Sequence, residues 1–585
     1  MSDQAAVTGE ADVIFFGGDI VTVAAGPAER EPESVAVKDG LIVYVGDHPG
    51  AIRLWRGPRT VLRNLRGRTL LPGFIDAHGH LGGIGLQATY ANLLAEPDGD
   101  VTDIGSLQDK LQAWAQTAVG ADSGWIVGFG YDDAMLAEGR HPTRADLDEV
   151  STERPVLAIH QSFHLGAVNS RGLKELGYSA ATKNPDGGVI RRLPDVIAPP
   201  YGEPDGVLEE SAFSPASDRA IAGLPEAVLN TLFIRGARTA ASFGFTTVQE
   251  GGCTLANLQA LRDTAAASPF EIDVVAYARA DAATASPEQD PVGASGAYVN
   301  GVRAAGVKLF LDGSPQGRTA WLTQPYLTPP EGMPEDYCGY PAIDDDKVVV
   351  AQVSTAFARG WQVLAHVNGD ASIDQFIAAV EEATAVAGRA DRRTVAVHAQ
   401  TARRDQIDAF ARLGVIPSFF SMHTFYWGDW YRKVVLGPER AENISPARWA
   451  LDQGLIYTSH HDAPVALPNS IAILAGQVTR RTRTDHAVLG PEQRVSALDA
   501  VKSITINAAH QYFEQDRKGS IEPGKLADLV ILSANPLTVP PEDIRILTVM
   551  ETIKEGTAVF PAHSAADPTS SASVAPADFP SHCGC

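Results

Sequence analysis

The alternation of apolar and polar positions changes rhythm along the chain. Residues 12 to 70 carry short apolar runs, "DVIFFGGDIVTV", "SVAVKDGLIVYVG" and "RTLLPGF", broken by Gly-Asp and Asp-Gly turns, which predicts a small sheet. Near the other end "GSIEPGKLADLVILSANP", Gly519 to Pro536, repeats the style. Neither end has enough strand to be stable alone, so residues 1–70 and 516–560 are expected to pair into one β-sandwich. Between them, runs such as "TTVQEGG", "EIDVVAYA", "GVKLFLDG", "GWQVLAHVNGD", "RTVAVHAQ", "GVIPSFF" and "LIYTSHHDAP" alternate with Ala-rich amphipathic stretches such as "DQFIAAVEEATAVAG". Strands apolar on both faces in β-α alternation predict a parallel sheet and, at this length, an α/β fold closed as a (β/α)8 TIM-type barrel over residues 71–515.

Residues 85 to about 230 interrupt that alternation, with strand-like segments of their own in "SGWIVGFGYDD" and "RPVLAIHQSFHLGAVNS". They are expected to form an insertion over the barrel mouth. Residues 561–585 are Ala, Ser and Pro rich and read as a flexible tail. Its "SHCGC" end offers His582, Cys583 and Cys585 as metal donors, against the commoner outcome of a disordered terminus.

Composition narrows the function classes. With 71 acidic against 47 basic residues, the net charge of −24 opposes nucleic acid and anionic membranes as partners. No apolar run is long enough to span a bilayer and the first residues lack a signal-peptide pattern, so the expectation is a cytoplasmic protein. Four cysteines in 585 residues are too few to staple the chain, in keeping with a reducing compartment.

The chemistry concentrates at the ends of the strand-like runs. In "LPGFIDAHGHL" the two histidines stand one residue apart, and in extended chain residues i and i+2 face the same side, so His78 and His80 aim at one point. Lys308, His366, His398 and Asp462 occupy the carboxyl ends of later strands, where barrel enzymes carry their active sites. Any one of these histidines has an ordinary structural reading, and Lys308 an ion pair with Asp312, but six such positions on successive strands point to a site. Imidazoles suit Zn²⁺ or a similar divalent ion, and a carboxylate completes a site that keeps a position for water.

These segments together, "PGFIDAHGH", "VKLFLDGSPQGRTA", "VLAHVNGDASID", "VAVHAQ", "HHDAPV" and "TINAAH" with "GSIEPGKLADLVIL", resemble the amidohydrolase superfamily, and within it the YtcJ-like branch that includes N-substituted formamide deformylases. The resemblance implies metal ligation by His78 and His80 of the first strand, His366 and His398 of the fifth and sixth, and Asp462 of the eighth. It also implies a carboxylated Lys308 bridging one or two zinc ions. Asp462 would take a proton from water and hand it to the leaving amine. The implied reaction is hydrolysis of an amide-like C–N bond in a small molecule, N-formyl or N-acyl. A cyclic-amide hydrolase, a deaminase, an ester or carbamate hydrolase and a non-catalytic scaffold are the alternatives, and a homodimer is the default assembly.

Around this set, Asp76 is a candidate to orient a ligand, and Arg318, on the loop with Asp312 and Gln316, to clamp a substrate carbonyl or carboxylate. His164 matches a histidine of the branch and is expected to face the substrate. Asn169 or Ser170 is expected to cap the helix "RGLKELG". Tyr131 and Asp132 fall where relatives read Gly-Trp-Asp and are expected to pack or line the pocket. "SFFSMHTFYWGDWY" offers His423 and Trp427 as substrate contacts in an aromatic wall. Two departures stand out: Val397 replaces a glutamate that many relatives carry, and Ser459-His460-His461-Asp462 replaces Gly-Ser-Asp, with His461 expected to point away from the site.

Overall fold

The computed structural model describes residues 9–24, 31–185, 188–193, 201–285, 290, 292–293, 296–330 and 333–561. The tail ending in His582, Cys583 and Cys585 lies outside the described residues.

An eight-stranded parallel sheet organises the chain. Its strands follow one another in sequence order: Phe74–Ile75, Phe245–Cys253, Asp273–Arg279, Val302–Phe310, Gln362–Val367, Val395–His398, Ile416–Phe419 and Thr458–Ser459. The apolar runs become strands because both faces are covered; in "QVLAHV" every position but His366 is buried. Helices such as Asp370–Ala387 and Arg404–Leu413 lie between them, the second burying Ile407 and Phe410 and ending at Gly414 in the left-handed conformation. Among the described residues the first and eighth strands form no ladder, so the sheet is a curled half-barrel rather than the closed ring the β-α rhythm predicts. Its two ends meet through the segments that follow them: Asp462 N–H donates to the His78 carbonyl (3.2 Å) and His80 N–H to the Ala463 carbonyl (2.9 Å).

Two smaller sheets use both ends of the chain. One has the order Leu41–Gly46, Ser34–Lys38, Val13–Phe16, Val61–Asn64, and the other Asp19–Ile20, Thr69–Pro72, Leu529–Leu532, Val549–Lys554, Thr557–Phe560. Thr69–Pro72 pairs antiparallel with Leu529–Leu532, and a single apolar cluster takes Phe15, Val35 and Val37 from the first sheet and Leu70, Leu529 and Ile553 from the second. A buried charge cluster ties the second sheet to the parallel one. Asp273, the first residue of the third strand, accepts from Lys518 Nζ at 2.6 Å and Lys554 Nζ at 2.8 Å, with Glu514 and Asp528 completing the neutralisation.

A further six-stranded sheet falls between the first and second parallel strands, in the order Gly188–Leu193, Glu203–Glu210, Leu165–Val168, Val156–His160, Ile126–Tyr131, Ala91–Asn92. It has its own core, including Leu107, Leu111, Val127, Leu157 and Leu208. Asn169 caps the helix Ser170–Leu176 by accepting from Gly172 N–H at 2.8 Å. Two contacts join this unit to loops beyond the seventh and eighth strands: Asp132 with Arg483 at 2.9 Å, and Asp98 with the Tyr426 hydroxyl. No helix among the described residues is long and apolar enough to cross a membrane.

Candidate metal centre

The carboxyl ends of the strands bring together all six residues singled out from the sequence. His78 and His80 follow the first strand, and their Nε2 atoms lie 3.2 and 3.4 Å from one oxygen, Asp462 Oδ1. Asp462 adopts φ +52°, a left-handed turn that swings its carboxylate back over the strand ends. Lys308 reaches from the fourth strand with Nζ 3.1 Å from His78 Nε2. It makes no ion pair with Asp312, whose carboxylate instead accepts from the N–H groups of Trp321, Asn368 and Gly369.

Hydrogen-bond partners fix which nitrogens face the centre. Gln249 donates its amide to the Ala77 carbonyl (2.9 Å) and the Tyr512 hydroxyl (2.7 Å), so its Oε1, 2.6 Å from His78 Nδ1, is an acceptor and Nδ1 carries the proton. Burial, reinforced by Lys308, pushes the His78 pKa down to about 3, so the ring is neutral and its Nε2 presents a lone pair. A lone pair therefore faces a carboxylate at 3.2 Å, and buried Asp462 Oδ1 receives no well-aligned hydrogen bond. Two acceptors so placed suit a cation shared between them.

His366 and His398 form a second converging pair. His366 directs Nε2 to the Gly313 carbonyl at 3.0 Å, leaving Nδ1 facing His398 Nε2 at 3.2 Å, and His398 Nε2 lies 3.9 Å from Asp462 Oδ2. Burial is the first cause of low pKa values in both rings, to about 4 for His366 and well below the ordinary value for His398. Lys308 is fully enclosed, and burial lowers its ammonium to about 7. Neutral imidazoles, one anion and one amine of lowered basicity form a donor set suited to one or two divalent ions.

The remaining expected residues sort by distance from this centre. His423 is buried, with Nδ1 2.5 Å from Gln400 Oε1 and its ring 6.5 Å from that of His398; Trp427 meets it edge-on at 5.3 Å. His164 is half-exposed and pairs with Glu210 Oε2 at 3.0 Å. Arg318 donates to the Thr328 and Pro329 carbonyls and lies over the Trp430 ring, so its guanidinium is partly committed to its own loop. Asp76 accepts from His78 N–H and Gln249 N–H and faces His461 Nε2 at 3.3 Å, so His461 does point away from Asp462. Gln316 bonds the Tyr431 hydroxyl. Tyr131 is fully buried against His141 and Asp132 pairs with Arg483, which places both in packing.

Asp132, Asp133 and His160 form a second group of close donor atoms. Ser162 N–H donates to His160 Nδ1 at 3.0 Å, so His160 Nε2 carries the proton and donates to Asp133 at 3.2 Å. This is a hydrogen bond rather than a pair of free donors, and Arg483 already neutralises Asp132.

Residues 62–560 match the sequence profile of the amidohydrolase family, and the chain belongs to that family. It is 27% identical to YtcJ of Bacillus subtilis (strain 168) over 94% of this chain and 99% of that one. It is also 27% identical to the N-substituted formamide deformylase of Arthrobacter pascens, over 93% and 97% of the two chains. Among solved structures, an uncharacterized metal-dependent hydrolase from Pyrococcus horikoshii superposes with a TM-score of 0.70 at 22% identity, over 90% of this chain and 99% of that one, which shows the shared fold.

Three residues at the centre lie outside the set of candidate ligands read from the sequence. Gln249 and Glu250 lie within the second strand, Gln249 holding His78 and Glu250 accepting from Gly82 N–H at 2.7 Å. His460 is fully buried with Nε2 3.0 Å from His398 Nδ1. A signal existed for each: polar residues closing the apolar run "TTVQEGG", and a histidine two positions before Asp462.

Proposed function

We propose that this chain is a metal-dependent hydrolase of a non-peptide C–N bond in a small amide-like molecule, with an N-formyl or N-acyl amine as first candidate. The observation that carries the reading is the convergence of His78 Nε2 and His80 Nε2 on Asp462 Oδ1, a buried carboxylate oxygen left without a well-aligned donor. The formamide deformylase relative supports the choice of bond. Zn²⁺, one ion or two, would be held by His78, His80 and Asp462 and by His366 and His398, and Lys308, carboxylated by CO₂, would add an anionic ligand. When bound, such an ion lowers the pKa of water and polarises a scissile carbonyl.

Asp462 accepts the proton released as water oxygen bonds to the carbonyl carbon, and returns it to the nitrogen as the C–N bond breaks. His423, with Nδ1–H committed to Gln400, keeps Nε2 as an acceptor for a substrate N–H. Trp427 supplies an apolar wall for the amine half. Arg318 and His164 serve as cationic contacts at the entrance. We read the two small sheets as a β-sandwich outside the barrel, residues 1–70 with 516–560, and residues 85–230 as an insertion over the mouth of a 71–515 barrel domain. The protein is taken to act in the cytoplasm on a small molecule, without nucleic-acid or membrane partners, as a homodimer.

The test is metal analysis of the purified chain, followed by a screen of the zinc-loaded protein on N-formyl, N-acetyl and cyclic amides. Stoichiometric zinc, turnover of an acyclic amide, and loss of turnover on chelation and in His80→Ala are expected. A protein that retains no divalent ion would overturn the reading in favour of a scaffold. Bound metal with turnover confined to esters or carbamates would overturn the choice of bond.

A further inference from the structure

His460 occupies a place that the metal-dependent reading leaves unused. Its ring is completely enclosed, and both nitrogens are engaged: Nδ1 lies 2.9 Å from Ser418 Oγ and Nε2 3.0 Å from His398 Nδ1. Neither nitrogen is left to hold an ion, so His460 is not itself a ligand. A neutral imidazole carries one proton on one of its two nitrogens, and His398 has its other nitrogen, Nε2, turned to His366 and Asp462. If His398 Nε2 offers a lone pair to the centre, His398 Nδ1 must carry the proton and donate to His460 Nε2. His460 Nδ1–H then donates to Ser418 Oγ. The reversed set, with Ser418 Oγ–H donating to His460 Nδ1 and His460 Nε2–H to His398 Nδ1, would turn a His398 Nε2–H toward His366, so the direction of this chain decides whether His398 offers a lone pair to the centre.

The same device operates on the other side of the site, where Gln249 Oε1 accepts from His78 Nδ1 at 2.6 Å. The two ligating rings are thus oriented by different acceptors, an amide for one and a second imidazole for the other. The chain enters the centre from the seventh strand, through Ser418, which pairs in register with Thr458 of the eighth.

We propose that His460 is a positioning residue that fixes the tautomer and plane of His398 through the Ser418–His460–His398 chain, and thereby sets the affinity of the His366–His398 half of the centre for a divalent ion. The inference rests on the metal-dependent reading, and its test separates the two. Zinc stoichiometry and affinity are measured by chelator competition on the full-length parent, His460→Phe, His460→Gln and Ser418→Ala, with thermal unfolding of the metal-free proteins alongside. Phe keeps the ring shape without an acceptor; Gln can place an oxygen where Nε2 stood, as Gln249 does for His78.

The expected result is a 10- to 100-fold weaker affinity, or loss of one metal equivalent, in His460→Phe. His460→Gln should recover to within a few fold of the parent, and Ser418→Ala should fall between them. A parent that binds no zinc would sink the metal-dependent reading itself. A parent that binds zinc while folded His460→Phe binds it equally tightly would overturn the role of His460 alone. Should His460→Phe not fold, Ser418→Ala with unchanged affinity would overturn it, and weakened affinity at unchanged thermal stability would sustain it.

Discussion

Replacing Asp462 by asparagine isolates its role in proton transfer. The substitution must be asparagine, because Asp462 sits at φ +52°, where asparagine is tolerated and alanine adds roughly 1–2 kcal/mol of backbone strain. Asparagine also preserves shape between His78 Nε2 at 3.2 Å and His80 Nε2 at 3.4 Å, so the strand ends need not shift. What it removes is the anion and the proton acceptor. General acid–base catalysis contributes about 10²–10⁴-fold, or roughly 2.7–5.5 kcal/mol of barrier at about 1.36 kcal/mol per tenfold. With zinc in excess and metal content measured on the same samples, kcat of Asp462→Asn on the best amide should fall by about that factor, with KM changed far less. Loss of metal is the competing cause, which the parallel metal analysis separates. A fully loaded Asp462→Asn protein whose kcat stays within about tenfold of the parent would refute Asp462 as the proton carrier.

Four further outcomes are expected. Gln249→Leu, which deletes the acceptor 2.6 Å from His78 Nδ1, should weaken zinc binding by about 10- to 100-fold in chelator competition; unchanged affinity would show that His78 is oriented by packing alone. Asp273→Asn removes the carboxylate that Lys518 and Lys554 share, leaving each ammonium with one acid, Glu514 or Asp528, and should cost about 1.5–3 kcal/mol in urea unfolding without lowering kcat of the folded fraction; a loss under about 0.5 kcal/mol would show the shared carboxylate to be dispensable. Burial opposes ionisation of Asp273, but Lys518 and Lys554 outweigh it and hold its pKa below the usual value. Its contribution is therefore present above about pH 4 and fades as the pH falls, so the parent should lose stability toward acid more steeply than Asp273→Asn. Burial also opposes protonation of His164, but Glu210 outweighs it and raises the pKa; Glu210→Gln should bring the His164 titration down in NMR of histidine-labelled protein, and an unmoved titration would break the assigned pair.

The parallel sheet is legible because its strands are buried on both faces. "GVKLFLDG" and "RTVAVHAQ" read as apolar runs with one ionisable residue near the end, and Lys308 and His398 sit where that pattern puts them. Closure of the ring is less legible, because it depends on how two-residue strands at Phe74–Ile75 and Thr458–Ser459 meet, and their apolar content carries no such information. Val61–Asn64, largely exposed, lacks the apolar alternation of a half-buried strand and gives no pattern to read, although it pairs in register with Val13–Phe16.

At the centre, the line between what the chain reveals and what it hides follows the range of each interaction. His460 stands two positions before Asp462, whose φ of +52° takes the chain out of the extended form, so nearness in the chain rather than a shared strand face brings His460 to the site. Its partner is not near in the chain: the contact with His398 depends on the sixth, seventh and eighth strands lying side by side in one register, with His398 opposite Phe419 and Phe419 opposite Ser459. Gln249 reaches His78 in the same way, because Thr247 pairs with Ile75. Ligand residues announce themselves by side-chain chemistry, whereas the groups that orient them are chosen by strand register, and register is set by the packing of the whole sheet. Substitutions at Gln249 and His460 should therefore change metal affinity while leaving every residue with recognisable ligand chemistry in place.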